Sequence, residues 1–249
     1  MPLDADELTA FAANGIIIKR GFVAPELVGK ATSLVTEWYR TAMDQSQLAE
    51  FTQRTFAPHL GSHPDVLALF TNSGIADLTR TLVGDFTPVT TTQIQIRVPE
   101  AELGHEQPDK AMHVDGVACP HLDPAELRTF SLLVGVALSG IRDPAGGALR
   151  YVPGGHLRMA EWFRTEWSLG ITEQTPPHIG AQEGIPFLAD PGDALLMHHL
   201  VPHAVGRNRT TTPRIMAYFR VSHVSHAGRR LDALRDPWLD FPPLTARVL

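Results

Sequence analysis

"GDALLMHHLVPHAVGRNRTTTPR", residues 192–214, decides the fold. Gly192 and Asp193 make a turn, and "ALLMHH" is an apolar run of strand length. A short loop follows, and a second, short strand opens at His203. "GRNRTTTP" is rich in turn formers, and a further strand opens at Arg214. The same texture extends outward on both sides. "FTPVTTTQIQIRVP" (86–99) alternates and is rich in β-branched residues, as a half-buried strand is. "RTFSLLVGVALSG" (128–140), "GALRYVP" (147–153) and "PRIMAYFRVSH" (213–223) read the same way. Many short strands between Gly, Pro and Asp turns predict a sandwich or jelly roll. A single helix, around "LRMAEWFRTEWSL" (157–169), interrupts them.

Ahead of residue 84 the pattern is helical. "DADELTAFAANG" (4–15) carries Asp4 or Asp6 as a cap, Leu8, Phe11 and Ala12 as an apolar face, and Gly15 as a stop. "IIIKRGF" then reads as a strand and "APELVGKATSLVTEWYR" as a helix with Leu27, Ala31, Leu34 and Trp38 on one stripe. Helical signals recur from Pro64 to Val83. The expected architecture is therefore mainly β with flanking helices. It is a single domain with a helical part over about 1–84, a β core over about 85–223 and a tail over 224–249.

Composition narrows the function. Apolar residues make up 43% of the 249, charged residues 19%, and the net charge is -6. That balance is ordinary for a globular protein and argues against a nucleic acid or anionic membrane as partner. Cys119 is the one cysteine, so neither an internal disulfide nor a Cys-rich zinc site is expected. The N-terminus has no signal-peptide pattern and no apolar run reaches the roughly 20 residues of a membrane span, so the expected compartment is the cytoplasm. Twelve histidines are many for this length, and His is the commonest metal ligand.

"HVDG" (113–116) supplies the first two candidate ligands. On extended chain, His113 and Asp115 point to one side and reach one ion. Two His and one carboxylate on one face of an octahedron leave three positions open, which is the site of non-haem Fe(II) oxygenases. His203 is the third candidate. A hairpin between its strand and the next would bring Arg214 back beside it. A guanidinium there binds a carboxylate through two parallel hydrogen bonds. A cosubstrate that chelates iron at one end and carries a carboxylate at the other fits both, and 2-oxoglutarate is such a molecule.

These motifs resemble the phytanoyl-CoA dioxygenase family of Fe(II)/2-oxoglutarate-dependent oxygenases. "LTAFAANGIIIKRGFVAPELV" (8–28) is similar to the family's helix–strand–helix entry, "HVDG" to its His-x-Asp, and "GGALRYVPGGH" (146–156) to its Pro-Gly-Ser-His segment. Residues 192–214 match its His-to-Arg segment with the eleven-residue spacing, and "DPWLDFP" (236–242) a frequent tail. The resemblance implies a double-stranded β-helix (jelly roll, cupin-like) core with iron at its open end. It implies His113, Asp115 and His203 as iron ligands, Arg214 as partner of the 2-oxoglutarate C5 carboxylate, and dioxygen as oxidant. Halogenating relatives have Ala or Gly at the Asp115 position, so hydroxylation, desaturation or oxidative ring closure is expected here. The chain departs from the pattern at Val205, where many members place a serine that also binds that carboxylate. Thr129 or Ser131 is the expected replacement hydroxyl.

Other residues are weighed beside these. "TQIQIRV" puts Gln93, Gln95 and Arg97 on one strand face; Gln95 is expected against the cosubstrate, and Gln93 and Arg97 against substrate. Trp162 is expected in the core or as a lid over the pocket. His198 and His199 lack the spacing to Arg214, and His156 is expected to pack on or cap its helix. His105, Cys119 and His121 flank the His-x-Asp in loops. No basic patch suits coenzyme A, so the expected substrate is a small, polar or glycosylated specialised metabolite, hydroxylated or cyclised, for example to an orthoester. A zinc hydrolase would use the same three ligands but gives Arg214 no role. A non-catalytic small-molecule-binding β-scaffold would make all of them coincidence.

Overall fold

Helix α1 (Ala5–Asn14) starts and stops where its local chemistry says. The Asp4 carboxylate accepts from the Glu7 amide at 2.8 Å, and Glu7 accepts from the Asp4 amide at 3.2 Å. This reciprocal cap satisfies two amides that the helix leaves open. Gly15 ends it in the left-handed region, φ 73°, and β1 (Ile16–Lys19) begins at once. Helices α2 (Pro25–Thr41), α3 (Pro64–Thr71) and α4 (Ile75–Val83) follow. The computed structural model describes residues 2–44, 46, 56–107, 110–118, 123, 125–176 and 178–246; Cys119 and His121 lie outside them. No helix among the described residues is long and apolar enough to cross a membrane. In α2 the buried residues are Val28, Ala31 and Val35. The inward stripe thus sits one position round from the expected one. The larger Leu27 and Trp38 pack along its margin, while the smaller valines let α2 lie against α3.

The second half supplies β2 (Gln93–Arg97), α5 (Glu100–Leu103), β3 (Leu132–Ala137), β4 (Leu149–Tyr151), α6 (Gly155–Thr165), β5 (Ile185–Pro186), β6 (Ala194–His198), β7 (His203–Val205), β8 (Arg214–Val221), α7 (Arg230–Arg235) and α8 (Pro242–Thr245). Two antiparallel sheets result: a major one in the order β1-β6-β3-β8-β2 and a minor one in the order β5-β4-β7. The helical N-terminal part is not separate from the β core. Its strand β1 forms an edge of the major sheet, pairing Ile16 with Met197 and Lys19 with Ala194.

Strand alternation gives the major sheet two faces. Ile94, Ile96, Leu132, Val134, Ala217, Phe219 and Val221 form the outer face and are buried under the helices with Phe11, Phe70 and Leu78. The Phe70 and Phe219 rings lie 5.4 Å apart. Each of these side chains larger than alanine contributes about 1.5–3 kcal/mol by leaving water, so this layer is the main anchor of the fold. The inner face carries Gln93, Gln95 and Arg97 on β2 and Arg214, Met216, Tyr218 and Arg220 on β8, by register.

One expected pairing does not form. β7 and β8 are not a hairpin: β7 lies in the minor sheet beside β4, and β8 lies in the major sheet between β3 and β2. The connection between them turns around buried Asn208, whose amide donates to the carbonyls of Arg97 at 2.7 Å and Thr212 at 2.9 Å. His203 and Arg214 therefore stand on different sheets.

The C-terminal segment is clasped to the core by polar groups. Asp240, buried, accepts from Ser131 Oγ at 2.6 Å and from Arg229 Nε at 3.0 Å, and pairs with His226 Nδ1. Nearby, His156, His198 and His199 are buried, the last two stacked with centroids 4.7 Å apart. Burial pushes His156 down to about 4 and the other two well below the ordinary histidine value. Unfolded histidine titrates near 6.5, so below that pH the unfolded chain binds more protons and stability falls as the solution is acidified. For His156 alone the loss reaches on the order of 3 kcal/mol by pH 4. Melting temperature is expected to fall steeply between pH 6.5 and 5; a flat profile there would show that these side chains are not held neutral.

Candidate active site

His113, Asp115 and His203 converge. Their ligand atoms lie within 4.8 Å of one another, and they are the group of three or more such side chains found among the described residues. The backbone builds this convergence. His113 and His203 form a bridge, each amide donating to the other's carbonyl at 3.0 and 2.9 Å, so β7 holds the His113 segment against the minor sheet. Gly116 then turns the chain away, with φ 79°. A Cβ there would meet the backbone of Arg128 at 2.3 Å, so a side chain at this position would push Asp115 off the site.

The imidazoles are set for metal binding. His113 Nδ1 lies 3.1 Å from the Ala111 carbonyl, and His203 Nδ1 lies 3.0 Å from the Val201 carbonyl. A carbonyl only accepts, so Nδ1 carries the proton and Nε2 keeps its lone pair. Both Nε2 atoms face Asp115 Oδ1, at 3.7 and 3.9 Å. Burial pushes His203 down to about 4, so it is neutral and free to ligate at neutral pH. Burial also opposes ionisation of Asp115, but the charge and hydrogen bond of Arg220 outweigh it and hold the carboxyl well below the usual range. Two imidazole nitrogens and one carboxylate oxygen on one side suit a divalent first-row metal with positions left open.

Arg214, on β8, is 1% exposed. Its Nη2 donates to Gln95 Oε1 at 2.8 Å and its Nη1 to the Tyr218 hydroxyl at 3.3 Å. Its Nε is buried with no hydrogen-bond partner, and among the described residues no carboxylate pairs with it. A buried guanidinium with neutral partners only is costly, and a bound anion removes that cost. Arg97, also buried, stands directly opposite Arg214 in the register, with an orphaned Nη2. Burial and the Arg214 charge push Arg97 down to about 10. Tyr218 lies between the two ends of the site. It bonds Arg214, and its phenol, already raised by burial, also feels the Asp115 charge. Gly135 makes room for its ring; a Cβ there would stand 2.9 Å from Tyr218 Cε1. The donor set therefore fits a chelating keto acid with a distal carboxylate: a metal triad at one end and an unpaired buried cation at the other.

Residues 11–216 match the phytanoyl-CoA dioxygenase (PhyH) family. The chain belongs to that family. The family is named for a dioxygenase, and a structural neighbour, the epimerase SnoN, is crystallised with Fe3+ and alpha ketoglutarate. A 68-residue stretch is 43% identical to the multifunctional dioxygenase prhA of Penicillium brasilianum, covering 27% of this chain and 20% of that one. The chain thus matches about a fifth of that relative's length. Among solved structures, EctD from S. alaskensis with 2-oxoglutarate and 5-hydroxyectoine superposes with a TM-score of 0.63 at 18% identity, over 90% of this chain and 77% of that one. The carbocyclase SnoK from nogalamycin biosynthesis gives a TM-score of 0.61 at 17% identity, over 88% and 83%. HygX from Streptomyces hygroscopicus, with nickel and 2-oxoglutarate bound, gives 0.55 at 16%, over 89% and 87%. These likenesses establish a shared cupin-type β fold.

For this PhyH chain, one expectation needs correcting. Thr129 and Ser131 do not replace the serine absent at Val205. Thr129 Oγ1 pairs with His226 Nε2 at 3.0 Å and Ser131 Oγ donates to Asp240, because both precede β3 and face the C-terminal clasp. The hydroxyl that reaches Arg214 belongs to Tyr218. Trp162 takes the first of its two expected places, the core. It is 6% exposed and packs with Phe163, Met112 and Val114 beneath α6, since its helix turns that face to the core. Arg97 sits beside Arg214, whereas Asp115 is reached by Arg220 at the other end of β8. Gln93 is half-buried on the inner face, opposite Tyr218. His198 and His199 lie under the tail and His156 packs in the first turn of α6, away from the triad. His105 is exposed, its ring beside the Leu103 carbonyl. Tyr218 and Arg220 were missed in the sequence, although alternation from Arg214 points both inward.

Proposed function

We propose that this oxygenase oxidises an unactivated C–H bond of a small, polar or glycosylated specialised metabolite, by hydroxylation or by oxidative ring closure. His113, Asp115 and His203 hold the iron. Arg214, with Gln95 and Tyr218 beside it, binds the C5 carboxylate of 2-oxoglutarate, and the whole acts as one domain inside the cell. The observation that carries this is Arg214, a buried cation without counter-charge, on the same face of β8 as Arg220, which bonds Asp115 of the triad. Bound iron couples decarboxylation of the keto acid to succinate with activation of dioxygen. The chain's own part is orientation. Nδ1–H bonds to Ala111 and Val201 fix both imidazoles, and Gln95 fixes the Arg214 fork. Neither a zinc hydrolase nor a non-catalytic scaffold gives Arg214 and its two partners a role.

The substrate class rests on the inner face, where Gln93 joins the site from β2. The solved neighbours include EctD, with 5-hydroxyectoine bound, and SnoK, a carbocyclase from nogalamycin biosynthesis. A panel of small polar and glycosylated metabolites, tested beside acyl-CoA thioesters for stimulated succinate release, decides the matter. Stimulation by a member of the first group, with an oxidised product, is expected. Stimulation by thioesters alone would overturn the substrate class.

A further inference from the structure

The two oxygens of Asp115 have different partners. Oδ1 faces the Nε2 atoms of both histidines, while Oδ2 accepts from Arg220 Nη2 at 2.9 Å. Arg220 is the last inward residue of β8, and its guanidinium carbon lies 5.4 Å from the centroid of buried Phe130. The flat face of Phe130 sets the plane of the guanidinium, and the Arg220 fork then fixes the direction in which Oδ2 points. At 40% side-chain exposure this pair is too well screened for stability to explain it.

We propose that Arg220 is a positioning residue that keeps Asp115 bound to the metal through one oxygen. The proposal rests on His113, Asp115 and His203 being the ligands. A carboxylate with both oxygens free can close on a metal through both. Two imidazoles and one carboxylate oxygen leave three of six positions open, enough for a two-point chelate and dioxygen. A second oxygen from Asp115 would fill one of the three. The charge-assisted bond to Arg220 occupies Oδ2 and withdraws it from the metal. β8 thereby serves the site at both ends, placing Arg214 for the keto acid and, six residues on, Arg220 for the metal's carboxylate.

The test uses Mn(II) alone, without cosubstrate, and counts bound water by pulsed electron paramagnetic resonance in isotopically labelled water. The wild-type protein is expected to hold Mn(II) with three waters. Arg220→Gln is expected to hold it with two, because the freed Oδ2 joins the metal. Arg220→Leu, which keeps an apolar stem against Phe130, is expected to match it and serves if the first variant folds poorly. A structural ion pair would lower the melting temperature and leave three waters; that result overturns the role of Arg220 while leaving the triad standing. Failure of the wild-type protein to bind Mn(II), or binding unaltered by His203→Ala, removes the triad and this proposal with it.

Discussion

His203→Ala is expected to abolish keto-acid turnover and to lower Mn(II) affinity by more than the roughly 10- to 100-fold that follows loss of a residue merely supporting a ligand. His113→Ala and Asp115→Ala are expected to do the same. The reason is geometric: the three ligand atoms lie within 4.8 Å of one another, and no other group of three or more such atoms among the described residues offers an alternative. The fold is expected to survive each change. The His113–His203 bridge that shapes this region is made by backbone groups, which alanine retains. Calorimetric titration with Mn(II), beside circular dichroism, checks both halves. Undiminished metal affinity in any one variant removes that residue from the triad.

Arg214→Ala is expected to leave metal affinity unchanged and to weaken 2-oxoglutarate binding. Removing one half of a desolvated charge pair costs about 2–5 kcal/mol, which is roughly 30-fold or more in affinity. Tyr218→Phe gives the graded counterpart. It removes one neutral donor to a carboxylate, about 1.5–3 kcal/mol, and so about tenfold or more. The same variants separate by stability. Without ligand, Arg214 is a buried cation lacking a counter-charge, so Arg214→Met is expected to melt no lower than the wild type. Saturating 2-oxoglutarate stabilises the wild type by about 2.7 kcal/mol at 100 times its Kd, and this gain disappears in Arg214→Met. An unchanged response to 2-oxoglutarate in both Arg214 variants would refute the carboxylate role.

The residues at the ends of strands were legible in the sequence. His203 and Arg214 open β7 and β8 as expected, because turn formers flank both. The His-x-Asp pair was legible from its spacing and the glycine after it, although Asp115 sits in a turn that Gly116, with positive φ, completes. The assignment of strands to sheets was not. "GRNRTTTP" reads as a hairpin turn, yet Asn208 ties it to the Arg97 carbonyl and sends β8 to the other sheet. That bond spans more than a hundred residues, and no local pattern encodes it. Thr129 and Ser131 failed likewise. Their alternation with Leu133 is real in the sequence, but β3 begins only at Leu132, and Asp240 and His226 of the tail engage the two hydroxyls first. Tyr218 and Arg220 were within reach. Counting by twos from Arg214 lands on both, but a tyrosine in an apolar run reads as core, and it becomes a site residue only once Arg214 is seen bonded to it.

The central claim is that one metal and one keto acid share this site. Anaerobic addition of Fe(II) and 2-oxoglutarate to the protein tests it most directly. A weak visible charge-transfer band is expected in the wild type and absent in His203→Ala. In Arg214→Ala it is expected only at far higher 2-oxoglutarate concentration. Full binding of Fe(II) with no band at saturating 2-oxoglutarate would contradict the account.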